Sequence, residues 1–547
     1  MQLPAIQLDI TPQLDTGDAV QGLQCSLRLD VPKVLQGDVL VQMPKKSGLT
    51  PCQKYDSLLA SDDRGILDLI AREDGNLYSW CASRTTVGGI ILQFYATPRL
   101  VGPGTPIGSR VDMRSDHGGV GVAGLTFLPL PPSEEDHAIV IRWVLESHRI
   151  SAVWSFGEGP GPHQVVGPPS LLQETYFAAG KVQSLVNEGF GFYWFGDLPK
   201  KIQNSARWSE RLFNKMGSFF HDSASTYRVF VRNASPARGF GGTAFRYSYC
   251  LEYDAGLDII PPEDVNQLLA HEMIHNWPMI GKNSDSDETQ KIYDWYNEGM
   301  QKYSSWAQLT YQGIADYYSI IMPHDYGLLD EVTFIQQVND FLAGYYTHPL
   351  INWSNKELAD AGWKNMYAIT LPYLRGFIYL LKVSGQLGRV KFNEIVNVLL
   401  EQKTKGPICT EQDWLDQLQI ELGQQAEDEF SDMADGKIIV PKGALKAYNL
   451  VREDKEIFDL GMNNSSMDLR KVTGLHLDSR AAKAGIEEGD AIISNTPVFL
   501  CQAHHLQLMA MKILRNGTRL EIKYWPRGWE KVEAWQFEKS PMHSRIP

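Results

Sequence analysis

The five residues His271-Glu-Met-Ile-His275 constrain this chain more than any other part of its sequence. They follow a Pro-Pro pair at 261–262, in a run whose apolar pattern predicts a helix with Asp264 as its N-cap. Histidines four positions apart lie one turn apart on the same helix face, so both imidazoles can bind one metal ion. Glu272 cannot point with them. It can lie beside an open position of the metal and accept a proton from a bound water.

Histidine is rare in this sequence, with 13 among 547 residues. A His-Glu-x-x-His pattern would therefore arise by chance on the order of 0.01–0.02 times in a chain of this length. The pattern is typical of zinc sites, and a zinc site that hydrolyses bonds needs a third protein ligand and one open position. We therefore expect one Zn²⁺ ion per chain.

Glu298 is the best candidate for the third ligand. It lies in Trp295-Tyr-Asn-Glu-Gly-Met, early in a helix predicted over about 291–312. The 22 residues between His275 and Glu298 leave room for a helix end, a polar loop and a helix start. Asp294, one turn earlier on the same face, is the rival candidate. The sequence thus predicts a site of His271, His275 and Glu298, with Glu272 as the general base.

The length of the chain predicts about three domains, because single hydrophobic cores stop growing at roughly 250–300 residues. Residues 1–197 contain short runs rich in β-branched and aromatic residues, punctuated by Gly, Pro and Asp, which favour a β-sandwich. Residues 198–450 are mainly helical in pattern. Residues 451–547 return to short strands and turns.

Acidic residues outnumber basic ones by 65 to 51, which argues against a nucleic-acid partner. The six cysteines are far apart without paired spacing and are expected to be buried thiols. The first residues lack a basic segment followed by an apolar one, and no uncharged apolar run reaches the roughly 18 residues that a membrane span needs. These features predict a cytoplasmic protein with no membrane association.

The His-Glu-x-x-His motif followed by Asn-Trp, and then by Asn-Glu-Gly, resembles the gluzincin aminopeptidases. Within that clan the sequence is most similar to the glycyl aminopeptidase family. The resemblance implies a multidomain α+β fold: an N-terminal β-sandwich, a thermolysin-like and mainly α catalytic domain, and a C-terminal PDZ-like domain. It also implies a peptide or peptide-like substrate.

Three further segments resemble that family. Leu371-Pro-Tyr-Leu-Arg-Gly-Phe resembles the Tyr-x-Lys-Gly segment of the clan, which implies that Tyr373 donates a hydrogen bond to the developing oxyanion. Arg375 stands where the clan usually has lysine. Phe458-Asp-Leu-Gly-Met resembles the carboxylate-binding loop of a PDZ domain, and 479–490 its helix and turn, which implies a C-terminal peptide as ligand.

The segment Gly241-Gly-Thr-Ala-Phe stands where the family has an edge strand, Gly-Gly-Leu-Glu-His. The glutamate that holds the free amine of the substrate falls on Ala244. Alternate side chains of a strand share a face, so Arg246 is expected to point the same way as Ala244. Glu252 and Asp254 could replace the missing acid if the strand ran on. The candidate substrate-binding residues are Gly241, Gly242, Ala244 and Arg246.

Three functions fit these observations. The first is a metallopeptidase, related to aminopeptidases but without the usual amine anchor. The second is a zinc hydrolase of a non-peptide bond, such as an ester or an epoxide. The third is a scaffold that binds C-terminal tails and keeps a relic metal site. The intact Glu272 argues against the third, because a structural site does not need a general base.

Overall fold

The computed structural model describes residues 3–30, 33–56, 58–102, 105–106, 108–222, 226–234, 240–277, 313–361, 365–405 and 411–539. The chain divides into two compact units. The first comprises Met1–Gly102, Pro106–Ala206 and Ala224–Asp254, and the second comprises Pro103–Thr105, Arg207–Ser223 and Ala255–Pro547. The domain boundaries predicted at 197/198 and 450/451 remain predictions.

The first unit is rich in β-strands, which confirms the β-rich character predicted for the N-terminal region. Its strands are β1 (Ala5–Leu14), β2 (Val20–Asp30), β3 (Val39–Pro44), β4 (Lys46–Ser47), β5 (Thr50–Pro51), β6 (Leu59–Asp62), β7 (Gly65–Leu67), β8 (Leu69–Asp74), β9 (Leu77–Ala82), β10 (Ile90–Ala96), β11 (Arg114–Asp116), β12 (Gly119–Ala123), β13 (His137–Trp143), β14 (Ser151–Trp154), β15 (Gly157–Glu158), β16 (His163–Gly167), β17 (Tyr176–Gly180), β18 (Val182–Asn187), β19 (Phe190–Phe195), β20 (Tyr227–Asn233), β21 (Gly241–Phe245) and β22 (Ser248–Tyr253).

Two larger sheets dominate the described part of this unit before residue 181. One has the order β16-β13-β1-β2-β10-β6-β7 and the other β11-β12-β17-β14-β15. In β1, Ile6, Leu8 and Ile10 are fully buried while their neighbours are partly exposed. In the antiparallel register Leu8 lies opposite Leu27. The period-two alternation of apolar residues thus sets which face of the strand is buried.

A further sheet, in the order β18-β19-β20-β22-β21, places β21 at one edge. The chain reaches β22 from β21 through a tight turn, so Gly242 pairs with Leu251 in an antiparallel ladder. A Cβ atom on Gly242 would lie 2.1 Å from the ring of Tyr249. Glycine is therefore required at this position by the close approach of the aromatic ring.

Helices dominate the described part of the second unit up to residue 434. The short α1 and the first residues of α2 belong instead to the first unit. Within the described residues the α-helices in chain order are α1 (Ser170–Gln173), α2 (Lys200–Phe219), α3 (Pro262–Ile274), α4 (Ile314–Asp325), α5 (Glu331–Tyr346), α6 (Asn355–Ala361), α7 (Met366–Leu387), α8 (Arg389–Lys405), α9 (Glu411–Leu422), α10 (Gln424–Ala434), α11 (Ser466–Leu469), α12 (Arg480–Lys483) and α13 (Val498–Ala503). Helix α4 contacts both α3 and α7, and α5 contacts α7.

Helix α3, which carries the His-Glu-x-x-His motif, begins at Pro262 rather than after Asp264. Its N-cap is Pro261, whose extended backbone precedes a proline at the first helical position, where the missing N–H costs nothing. The prediction that Asp264 is the N-cap is therefore wrong. Asp264 lies in the first turn, where a carboxylate still interacts favourably with the helix dipole.

The C-terminal segment, defined as residues 448–539, contains its own strands and a buried core. The strands are β23 (Tyr448–Phe458), β24 (Ala491–Asn495), β25 (Met509–Arg515), β26 (Thr518–Tyr524) and β27 (Arg527–Lys539). Strand β27 pairs with β23, and it also packs against α5. Asn339 of α5 donates to the carbonyl of Phe537 at 2.9 Å and accepts from its N–H at 2.7 Å. The segment is thus fastened to the helices of the second unit by paired hydrogen bonds.

The five cysteines within the described residues are buried and form no disulfide, as the sequence predicts; they are Cys25, Cys52, Cys81, Cys250 and Cys501. Cys409 lies outside the described residues. No helix in the described part of the chain combines the length and the apolar character needed to cross a membrane.

His504, which follows α13, joins two helices through their carboxylates. Its Nδ1 lies 3.3 Å from Asp340 of α5 and its Nε2 lies 3.7 Å from Asp264 of α3. The hydrogen bonds to Asp264 and then to Asp340 raise the pKa of His504 to about 10. The protonated form is therefore favoured in the folded chain, and it ties the segment to the first turn of the motif helix.

We predict that His504→Gln lowers the free energy of unfolding by about 1.5–3 kcal/mol at pH 6, the range for hydrogen bonds to a charged group. Because the pKa of His504 is higher in the folded chain than in the unfolded chain, its protonation stabilises the fold. This stabilisation is complete below the unfolded pKa, near 6.5, and is lost as the pH rises to about 10. Denaturant unfolding at several pH values measures the difference from wild type. His476→Gln, at an exposed site in the same segment, is the control. A difference that stays constant from pH 6 to 10 would contradict the prediction.

Candidate metal centre

His271 and His275 lie one turn apart on α3, and both side chains are buried. Their Nε2 atoms are 3.1 Å apart, and the ring planes stand nearly perpendicular. The helix therefore brings two imidazole nitrogens to one point, as the spacing of the motif predicts. Burial lowers the pKa of His275 well below its usual value, which keeps that imidazole neutral and able to bind a metal.

Asp316 of α4 holds one of these rings. Its Oδ1 accepts a hydrogen bond from Nδ1 of His271 at 2.6 Å, and both side chains are buried. A proton held on Nδ1 leaves the lone pair on Nε2, so this contact fixes the tautomer that can bind a metal. Asp316 is not among the residues predicted from the sequence. The signal was present, because it is a single acid in the apolar run Ile314-Ala-Asp-Tyr-Tyr-Ser-Ile-Ile-Met.

Glu272 follows His271 in the helix and is partly buried. Burial raises its pKa to about 7, the neighbouring His271 lowers it, and Asp316 raises it. A carboxyl group with a pKa near neutrality can both accept and release a proton at physiological pH, which is the property required of a general base.

Tyr373 of α7 lies beside the motif. Its ring stacks on that of His271 with centroids 5.8 Å apart and planes 19° apart. Arg375, two residues later, is buried on a different face of the helix. It donates to Asn355 Oδ1 and to the carbonyl of Trp353, both at 2.6 Å, and thus fixes the chain before α6. The structure thus places Tyr373 beside His271, while Arg375 stabilises a loop.

The third predicted ligand, Glu298, and its rival, Asp294, both lie outside the described residues. Within the described ranges, no group of three or more His, Cys, Asp or Glu side chains is arranged to hold a metal ion. The histidine pair nevertheless fits zinc. Two nitrogens bound to one tetrahedral zinc ion at 2.0–2.1 Å stand roughly 3.3 Å apart, close to the 3.1 Å separation observed here.

The predicted substrate strand is β21, at the edge of its sheet, and it carries Gly241, Gly242 and Ala244. Arg246 does not belong to it. The strand ends at Phe245, and Arg246 lies in the turn, where its side chain is buried 3.4 Å from Glu174. The expectation that Arg246 shares the face of Ala244 is therefore wrong, because the hairpin turn ends the alternation of side chains.

Glu252, the acid considered as a replacement for the missing anchor, lies on β22 opposite Gly241. It is buried and accepts from Nε of Arg232 at 2.7 Å, and Nε of Arg110 lies 3.5 Å from its other oxygen. Arg232 in turn donates to Asp112 at 3.0 Å. The carboxylate is thus committed to two guanidinium groups of the same unit.

Comparison with known proteins shows the fold. No family model and no characterised protein matches the sequence. An aminopeptidase N family protein from Idiomarina loihiensis matches with a TM-score of 0.64 and 14% identity, over 97% of this chain and 98% of that one. An M1 zinc metallopeptidase from Deinococcus radiodurans gives 0.49 and 14%, over 81% and 95%. Leukotriene A4 hydrolase from Saccharomyces cerevisiae gives 0.48 and 12%, over 80% and 68%. The first match shows that this chain shares the fold of an aminopeptidase N family protein. The other two overlap too weakly to support a further conclusion.

We predict that Asp316→Ala weakens zinc binding by roughly 10–100-fold, the usual effect of losing a carboxylate that orients a metal-binding histidine. Asp316→Asn keeps an acceptor for His271 Nδ1 but removes the charge, so it should retain more affinity. Competition with a zinc chelator, followed by elemental analysis, measures both variants. Equal affinity in Asp316→Ala and wild type would show that the contact does not orient a metal ligand.

Proposed function

We propose that this chain is a zinc-dependent metallohydrolase that cleaves peptide bonds, with His271, His275 and Glu298 as the metal ligands. The observation that carries this proposal is the 3.1 Å approach of the two imidazole Nε2 atoms, with one of the rings oriented by Asp316. The fold shared with an aminopeptidase N family protein supports it. Glu298 is included on its position in the Asn-Glu-Gly motif.

The roles of the protein groups follow from their chemistry. A bound zinc ion would supply a Lewis acid that lowers the pKa of water. Glu272 would accept the proton of the attacking water and later deliver it to the leaving amine. The phenol of Tyr373 would donate a hydrogen bond to the oxygen of the scissile carbonyl as negative charge develops there.

The architecture belongs to the same proposal. We place an N-terminal β-sandwich in residues 1–197, a thermolysin-like catalytic domain in 198–450 and a PDZ-like domain in 451–547. The helices α3 and α7, which carry Glu272 and Tyr373, support the second of these domain assignments. The core of the C-terminal segment, to which Phe458, Leu460 and Met462 contribute, supports the third.

A second candidate is a hydrolase of a non-peptide bond, or of a peptide without a free amine. It is favoured by Ala244 in place of the amine anchor and by the two guanidinium groups that occupy Glu252. An unpaired ammonium group is costly to bury, and neither residue offers it a free carboxylate. An N-acylated substrate would avoid this cost.

We predict that Glu272→Gln keeps the zinc ion and loses turnover by roughly 10²–10⁴-fold, since an amide cannot accept the proton of water. Elemental analysis and initial rates on a peptide library measure the two properties. Glu263→Gln makes the same exchange in the first turn of the same helix and should leave the rate unchanged. Full activity in Glu272→Gln would remove Glu272 from the reaction.

We further predict little preference for a free N-terminus. The ratio of kcat/KM for matched peptides with free and acetylated N-termini should stay below about 10-fold, or about 1.4 kcal/mol. A larger advantage of the free amine would show that an acid anchors it. Repeating the comparison with Glu252→Gln would then identify or exclude Glu252 as that acid.

A further inference from the structure

The loop 458–462 of the C-terminal segment faces inward. Phe458, Leu460 and Met462 all contribute to the buried core of the segment. The N–H of Gly461 donates to Oδ1 of Asp459 at 2.7 Å, so a carboxylate of the chain itself occupies this donor. A loop that recognises a peptide tail presents its N–H groups to the carboxylate of the ligand. In this loop Asp459, a residue of the chain itself, accepts the hydrogen bond of one such N–H group.

The same loop contacts the end of α5 and the beginning of α7. The N–H of Phe458 donates to the carbonyl of Thr347, the C-cap of α5, at 2.9 Å. The ring of Phe458 meets that of Tyr367 in α7 edge-on at 6.1 Å. Tyr367 packs against the core of the segment. The C-terminal segment is therefore in apolar contact with the first turn of α7.

A side-chain hydrogen bond reaches the cap of this helix. Asn365 is the N-cap of α7, and its Oδ1 accepts from the N–H of Tyr367 at 3.0 Å. The same oxygen accepts from Nδ2 of Asn464 at 3.1 Å. Asn464 thus holds the capping amide in the orientation that starts the helix.

The capped turn leads directly to Tyr373, which lies eight residues after the cap, or roughly 12 Å along the axis. Side chains in a helix lean towards its N-terminus, so the ring of Tyr373 lies over the turn before it. That ring stacks on His271 at 5.8 Å. The capped start of α7 and Tyr373 therefore belong to the same helix, and the position of its first turn affects where the phenol lies.

We infer that the C-terminal segment is an internal brace that positions Tyr373, with Asn464 acting through Asn365 as a positioning residue. The inference rests on the proposed function, in which Tyr373 stabilises the oxyanion. It assigns the loop 458–462 to a contact within the chain instead of to the tail of a partner protein.

A double-mutant cycle tests this inference. Asn464→Ala should lower kcat by roughly 10-fold, with KM and zinc content unchanged, because misplacing a group that acts in the transition state affects the chemical step. In a Tyr373→Phe background the same substitution should have almost no further effect on kcat. Asn495→Ala, in the same segment but hydrogen-bonded to Arg470, is the matched control and should leave kcat unchanged in both backgrounds.

A measurement that needs no activity separates the brace from the proposed reaction. With 3-fluorotyrosine incorporated at position 373, Asn464→Ala should shift or broaden the ¹⁹F resonance of this residue, whereas Asn495→Ala should not. An unchanged resonance, or an equal loss of kcat in the two backgrounds, would overturn the brace even in an active hydrolase. A shifted resonance in a chain without hydrolase activity would support the brace while the proposed function fails. Preferential binding of a peptide ending in free valine over its C-terminal amide would also overturn the assignment of the loop.

Discussion

The structure of the second unit depends on keeping two imidazoles buried side by side. Such a pair cannot be doubly protonated, because two like charges 3.1 Å apart in a site of low polarity repel strongly. Burial lowers the pKa of His275 and keeps that ring neutral. Asp316 fixes the tautomer of His271, and the contact between α3 and α4 brings that carboxylate into place. The tautomer of His271 is therefore fixed only when the two helices are packed together.

In the first unit, a buried charge network joins β20 and β22, which lie in the same sheet as β21. Arg232 bridges Glu252 of β22 and Asp112, two carboxylates that are far apart in the sequence. These charges can be buried because each is paired with an opposite charge. Removing one partner would leave a buried charge without compensation for its desolvation. A carboxylate in such a network is poorly suited to exchange its partners for the amine of each new substrate. The same constraint that stabilises the hairpin thus disfavours an aminopeptidase anchor at this position.

The sequence predicted those features that depend on local periodicity. The alternation in β1 and the i, i+4 spacing in α3 both place side chains by the geometry of a single element. Predictions from the sequence failed where a chain reversal or a contact between distant residues determines the structure. Arg246 was assigned to a strand that in fact ends at Phe245, because turn geometry is poorly encoded in hydrophobic patterns. The prediction of Asp264 as the cap failed because Pro261 and Pro262 allow the helix to start without a capping side chain.

Asp316 illustrates the second kind of failure. It lies 45 residues from His271, and no local rule connects the two positions. Only its unusual setting, the single acid in the largely apolar run 314–322, indicates that a partner must exist. The role of Glu298 was predicted from its spacing to the motif, and that of Tyr373 from resemblance to a family. The structure places Tyr373 beside His271, while Glu298 remains a prediction.

The helix that carries Tyr373 contains a weak point that makes external support necessary. Pro372 immediately precedes Tyr373 inside α7, so the carbonyl of Ala368 lacks its usual partner in the helical ladder. The first turn of α7 is therefore less firmly joined to the rest of the helix than an uninterrupted ladder would make it. What fixes its direction is the contact of Tyr367 with the C-terminal core, together with the capping amide of Asn365. A proline at this position allows the helix to bend, and the surrounding packing selects one bend from several. In the proposed reaction the phenol of Tyr373 meets a developing charge, and by our inference it is held by a part of the chain that contributes no reacting group.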